Sequence, residues 1–247
     1  MRLPQVFASR TLPLIVLFVL LGLAHSFSAQ PIPGRAEVRA IKGTASYSTN
    51  GSPARPLKVG TVLRSGYTVK TGTNSTVDLF LGTSTGVIRI AESTTLTLDL
   101  LALTDTGADL KVEVQLDLPD GEMYFNVNKL SKPSRYEIKM PSGVAGIRGT
   151  KGSFSSRPGN ARPPIVLLEG TLEFVHVGTG GTLTTHRLKA PPAVYFSPVD
   201  GIKAAPAEMV QQTLAQLDSA AEAAKPTTRQ SPTKQSSQQT EPVTTRH

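Results

Sequence analysis

The chain has 247 residues, a formal charge of +8, 38% hydrophobic content, no cysteine and no tryptophan. That is enough for one medium domain with extra segments. The missing cysteines exclude a disulfide scaffold and a lipidated anchor, so an ordinary apolar core must hold the fold.

The first 26 residues read as a secretory leader. Arg2 and Arg10 give a positive start, Thr11 to Leu23 form an apolar run, and Ala24-His-Ser26 or Ser26-Phe-Ser28 offers the cut. The run is shorter than the ~20 residues of a spanning helix, so cleavage near Ser26 or Ser28 is expected, with delivery to the periplasm or medium and no membrane helix left afterwards. Net charge then falls to +6, because Arg2 and Arg10 leave with the leader.

Residues 27–35 are a spacer, and β pattern begins at 36. Asn50-Gly51 is a hairpin turn signal, and Asn74-Ser-Thr76 is read as a turn rather than a glycan site. Leu110, Val112, Val114, Leu116 and Leu118 alternate with polar residues, the mark of a strand with one wet and one dry face. Leu96/Leu98/Leu100, Met123/Phe125/Val127 and Tyr136/Ile138/Met140 repeat the arrangement, and no helical period interrupts 36–200. A glycine followed four residues later by an aromatic recurs at Gly43/Tyr47, Gly121/Phe125 and Gly170/Phe174, a weak sign of repeated strand–Gly–strand units. The expected fold is all-β over 36–203, a layered two-sheet sandwich or a short β-solenoid. One helix follows at 206–225, with Met209, Val210, Leu214, Leu217 and Ala221 on one face. Residues 226–247 are polar and low in apolar content, and are expected to be disordered.

Charge is segregated. Residues 92–122 hold eight acids against Lys111, and residues 129–164 hold eight bases against Glu137. Paired strands would neutralise one block against the other, which is the favoured reading. Alternatively the basic block faces an anionic envelope polymer through Lys129, Lys132, Arg135, Lys139, Lys151, Arg157 and Arg162.

Chemistry-bearing motifs are few. Gly82-Thr-Ser84-Thr-Gly86 has the letters of a nucleophile elbow but lies between two strand patterns, so it is expected to be a hairpin loop. His176 and His186 lack carboxylate or thiolate company and are read as an incidental surface pair. The glycines near 143–152 have no following lysine or helix to cradle a phosphate, and the basic block lacks the aromatic platform of a nucleic-acid binder. Neither enzymatic activity nor a cofactor is expected.

The densest signal is Pro141-Ser-Gly-Val-Ala-Gly-Ile-Arg-Gly-Thr150, which predicts a kinked strand packed closely in a sheet. Arg148, set among small residues, is expected to meet a carboxylate or several carbonyls, since a buried lone charge is costly. Val144-Ala-Gly-Ile-Arg-Gly-Thr150 resembles the signature of the FecR domain. Gly60-Thr-Val-Leu-Arg-Ser-Gly-Tyr-Thr-Val-Lys-Thr-Gly-Thr-Asn-Ser75 and Val166-Leu-Leu-Glu-Gly-Thr-Leu-Glu-Phe174 are similar to its flanking elements, in the right order across about residues 36–200. The resemblance implies a periplasmic domain of the kind that relays signals from an outer-membrane receptor to a cytoplasmic sigma factor. Full regulators place an anti-sigma segment before a membrane helix; only ten residues precede the apolar run here, so sigma-factor control is not carried over. The expectation is an exported binding or sensing module whose partner is another envelope protein, with Gly146, Ile147, Arg148, Gly149 and Thr150 as its structural or binding motif.

Overall fold

The computed structural model describes residues 30–49, 51–157 and 164–225. The leader, Asn50, Arg162 and the 226–247 tail lie outside the described residues. Among the described residues, eighteen strands and one α-helix make a mostly β fold. Numbered in chain order, one branch of pairing contains β1 (Ile32–Pro33), β3 (Ala45–Thr49), β4 (Arg55–Pro56), β6 (Tyr67–Thr71), β9 (Thr95–Asp105), β10 (Leu110–Asp120), β12 (Arg135–Met140), β13 (Gly143–Ile147), the second half of β15 (Ile165–Val177) and β16 (Leu183–Ala190). The other contains β2 (Ala36–Lys42), β5 (Val62–Leu63), β7 (Thr76–Gly82), β8 (Gly86–Ile90), β11 (Glu122–Asn126), β14 (Lys151–Ser155), the first half of β15, β17 (Val194–Ser197) and β18 (Gly201–Ala204). Strand β15 joins the branches into one large sheet, mixed because β10 and β12 run parallel while the other pairs are antiparallel.

The glycines that recur in the sequence mark where the chain steps between branches. Gly43 lies between β2 and β3, Gly121 between β10 and β11, and Gly170 inside β15 where its partner changes from β14 to β16. All three have positive φ. Gly170 shows why: a Cβ there would stand 2.2 Å from the Gly149 carbonyl oxygen and 2.8 Å from Thr150 Cγ2. Two corners packed backbone to backbone leave no room for a side chain.

Alternation along the strands sends one face of each branch into a single core. Leu116, Ile138, Ala145 and Phe174 from the first branch join Leu79, Ile88, Phe125 and Phe154 from the second, all buried. Each of the leucine, isoleucine and phenylalanine side chains contributes about 1.5–3 kcal/mol by leaving water. Phe125 stacks on Phe154 with centroids 4.6 Å apart, adding about 0.5–1.5 kcal/mol. Tyr136 is also buried in this core, and burial pushes its phenol above the usual tyrosine range. Among the described residues its hydroxyl has no hydrogen-bond partner. Tyr136→Phe is therefore expected to raise stability by about 1 kcal/mol in urea unfolding, since a buried orphan hydroxyl is a net cost.

The helix, α1 (Ala207–Ala224), lies over β2, β7, β8 and β11. Thr213, Leu217 and Ala220 are buried, with Met209, Val210 and Leu214 packed on Tyr124, Val166 and Leu168. The expected apolar face needs one correction, because Ala221 is exposed and Ala220 takes the inward position. Thr213 also enters, its hydroxyl donating back to the Met209 carbonyl at 2.9 Å. With α1 in place, β11 is covered on both faces, which is why Tyr124 is buried as well as Met123 and Phe125. No described helix is long and apolar enough to cross a membrane.

Candidate functional site

Two charged places stand out, one buried and one open. The buried one is a cross-strand pair. Asp78 on β7 faces Arg89 on β8, with Nε donating to Oδ1 at 2.7 Å and Nη2 to Oδ2 at 2.8 Å. Arg89 reaches further, to Gln216 Oε1 at 3.1 Å and Ser219 Oγ at 2.9 Å, fastening α1 to the sheet. The arginine's donors are largely spent inside the molecule. It serves the scaffold.

The open place surrounds the glycine-rich motif. Register sets Gln115, Glu137, Gly146, Glu173 and Arg187 in one row across β10, β12, β13, β15 and β16, on the face opposite the core. Arg135 Nε lies 2.5 Å from Glu137 Oε1, and Arg187 Nη2 lies 3.4 Å from Glu173 Oε1. Such exposed pairs contribute roughly 0–1 kcal/mol each, so they shape the surface more than they stabilise it. Between them Gly146 leaves a gap. A Cβ there would meet nothing nearer than the Glu173 carbonyl oxygen, 3.9 Å away, and its φ is not in the left-handed region. The gap is the floor of a cleft of about 540 Å³ whose rim includes Lys132, Arg135, Arg148, Thr171 and Arg187.

The five motif residues thus part company. Ile147 is buried in the core. Thr150 is buried, and its backbone exchanges hydrogen bonds with Val127, 3.0 Å from its own N–H and 2.9 Å to its carbonyl. Gly149 has φ +83°, and a Cβ would fall 2.7 Å from Lys129 Cα. Gly146 and Arg148 face outward. The expectation for Arg148 needs correcting: it is exposed, and among the described residues it meets only the Lys132 carbonyl, at 3.1 Å from Nη1. Small neighbours suggested burial, but Arg148 lies in the bend just after β13, where its side chain is open to water.

Only part of the basic block gathers: Lys132, Arg135 and Arg148 line the cleft and Lys139 shares the outer face of β12 with Arg135, whereas Lys151 lies elsewhere. Lys139 pairs with Asp99 at 3.0 Å, and Lys151, on the other branch, pairs with Glu169 at 3.0 Å. Arg157 donates to the Glu92 carbonyl, and Lys129 and Lys132 are exposed. Lys139–Asp99 joins the two charge blocks by reaching across β10, which lies between β12 and β9. Its hydrogen bond to Asp99 raises the Lys139 pKa, whereas partial burial and the nearby Asp99 carboxylate raise that of Asp117. A raised carboxyl pKa in the folded state makes the ionised form a cost, present above that pKa and relieved as pH falls through it. Asp117→Asn is therefore expected to raise the urea midpoint at about pH 7 and to do so less at about pH 4. An equal gain at both would contradict this.

Ser84 sits exposed in the turn between β7 and β8, a strand on each side, so the elbow geometry is not formed. His176 and His186, expected at the surface, are half-buried against Phe196 at 5.7 and 4.5 Å between centroids. Among the described residues no group of three or more metal-binding side chains gathers.

Around the cleft the outer face turns apolar. Val144, Val177 and Leu183 are 38%, 45% and 67% exposed, and Leu183 opens β16, which among the described residues pairs only with β15. A free edge beside exposed apolar residues is where another chain can add.

The family model described as FecR protein matches residues 67–173. These residues match a FecR domain. The match begins at the first residue of β6 and ends in β15, so it contains the whole glycine-rich motif and its neighbours in the sheet. Strands outside it complete the FecR domain's sheet, since β2 pairs with β7 and β16 with β15. No curated protein and no solved structure matches the chain.

Sequence reasoning missed the Asp78–Arg89 pair. Its signal was present: an acid and a base at facing positions of a hairpin whose other residues are apolar. The distant helix that covers them was not tied to that hairpin by any pattern.

Proposed function

We propose that this is an exported FecR-domain protein that acts as a non-catalytic binding and sensing module of the cell envelope. Its partner, another envelope protein, docks on the outer face of β12, β13, β15 and β16. The observation carrying this reading is the edge of β16, unpaired among the described residues, beside exposed Val144, Val177 and Leu183 and next to the motif that typifies the family. The leader at residues 1–26 would deliver it to the periplasm, where FecR domains typically sense and signal. In this reading the two branches form the two layers of a sandwich, one layer covered by α1 and the other left open for the partner. An anionic polymer is the weaker candidate, because Arg135, Lys139 and Lys151 already hold carboxylates and Lys151 lies on the other branch.

Photo-crosslinking in cells tests it. A benzoylphenylalanine at Thr185, on β16, should give one discrete adduct with an envelope protein, and the same probe at Ser84 should not. No adduct from Thr185, or the same smear from both positions, rules out docking on this face.

A further inference from the structure

Resting on that docking reading, we infer that Gly146 and Arg148 form a receptor for a carboxylate side chain, carried on an extended acidic segment of the partner protein. A glycine within a strand weakens it, and here neither backbone nor packing asks for one: φ is ordinary and the space for a Cβ is open. Gly149, three residues later, is demanded by both. What Gly146 provides is the gap itself, a place where a foreign group reaches the sheet backbone.

Charge selects the visitor. Lys132, Arg135, Arg148 and Arg187 rim the cleft against Glu137 and Glu173, and those two acids are already held by Arg135 and Arg187. Arg148 is the guanidinium left over. Its Nη1 is steadied by the Lys132 carbonyl, and among the described residues no carboxylate pairs with it. An oriented fork with donors to spare suits a planar carboxylate, which accepts two parallel hydrogen bonds. The next outward residue along β13 is Val144, two positions away and 38% exposed. Extended peptides repeat on one face every second residue, at about 3.3 Å per residue. A segment laid along β13 with a glutamate or aspartate over Gly146 therefore places the residue two positions on against Val144. The partner pattern is an acid, any residue, then an apolar residue.

The probe is a capped octapeptide, Glu-Thr-Val-Thr repeated twice, titrated into the isotope-labelled exported chain while backbone amide shifts are followed. Saturable shifts at Val144, Gly146 and Arg148 are expected. A glutamine-for-glutamate peptide, or the Arg148→Gln protein, should bind at least about tenfold more weakly, the loss of a charge-assisted bond. Gly146→Val should block binding while its urea midpoint stays at or above that of the parent. Absence of saturable binding, equal affinity of the glutamate and glutamine peptides, or unchanged affinity of Arg148→Gln overturns the inference. So does polygalacturonate shifting Gly146 and Arg148 as tightly as the peptide without moving Val144, which would mark a polymer site. In cells the two readings separate: a Thr185 adduct that survives Arg148→Gln defeats the carboxylate receptor alone, and a missing adduct in the parent protein defeats docking itself.

Discussion

Asp78→Ala is expected to lower unfolding stability by about 3–5 kcal/mol and to loosen the C-terminal helix. Removing the carboxylate leaves the Arg89 guanidinium buried under α1, with only the neutral Gln216 and Ser219 oxygens near it. An uncompensated buried charge is among the costliest defects a point substitution can create. Urea unfolding measures the loss. Amide exchange across 207–224 shows whether the helix goes first, as it should, because α1 rests on a small apolar cluster of its own. The double variant Asp78→Leu with Arg89→Met should recover most of the stability, since a packed apolar pair replaces an ion pair that was costly to desolvate. A double variant as unstable as the single one would mean that the pair contributes more than mutual neutralisation.

Gly170→Val should be the second large effect, a loss of about 3 kcal/mol or more. The substitution forces a β-branched residue into φ +93° and drives its Cβ toward the Gly149 carbonyl, a backbone atom that cannot swing aside. Left-handed conformation costs about 1–2 kcal/mol for a residue with a Cβ, and overpacking about 1–3 kcal/mol more. Because Gly149 and Gly170 press on each other, the damage lands on the corner that carries the motif. Gly146→Val, three residues from Gly149, is the matched comparison and should leave the urea midpoint in place. Equal destabilisation by the two would show that Gly146 serves the fold as Gly170 does.

Much of the sheet was legible, and for a simple reason. Leu110 to Leu118 alternates cleanly because β10 has one face in the core and one in water. The recurrence of Gly43, Gly121 and Gly170 was harder to read, because hairpins of different length lie between the corners and spoil the period. Arg148 was misjudged from its small neighbours, because it falls in the bend after β13, where the chain leaves the core. By local pattern alone Asp78 and Arg89 would belong to the wet face of a hairpin, and only a helix more than a hundred residues away makes that face dry. Local pattern reports alternation well. It does not report what later covers the outer side.

The chain's lack of cysteine makes the central claim directly measurable, because one introduced thiol reports one position. With Thr185→Cys, the outer-face account predicts that maleimide labelling is slow in intact envelopes and fast in the purified protein, while Ser84→Cys labels alike in both. Equal labelling of Thr185→Cys in the two settings would contradict it, because an uncovered β16 edge in the cell means that nothing docks there.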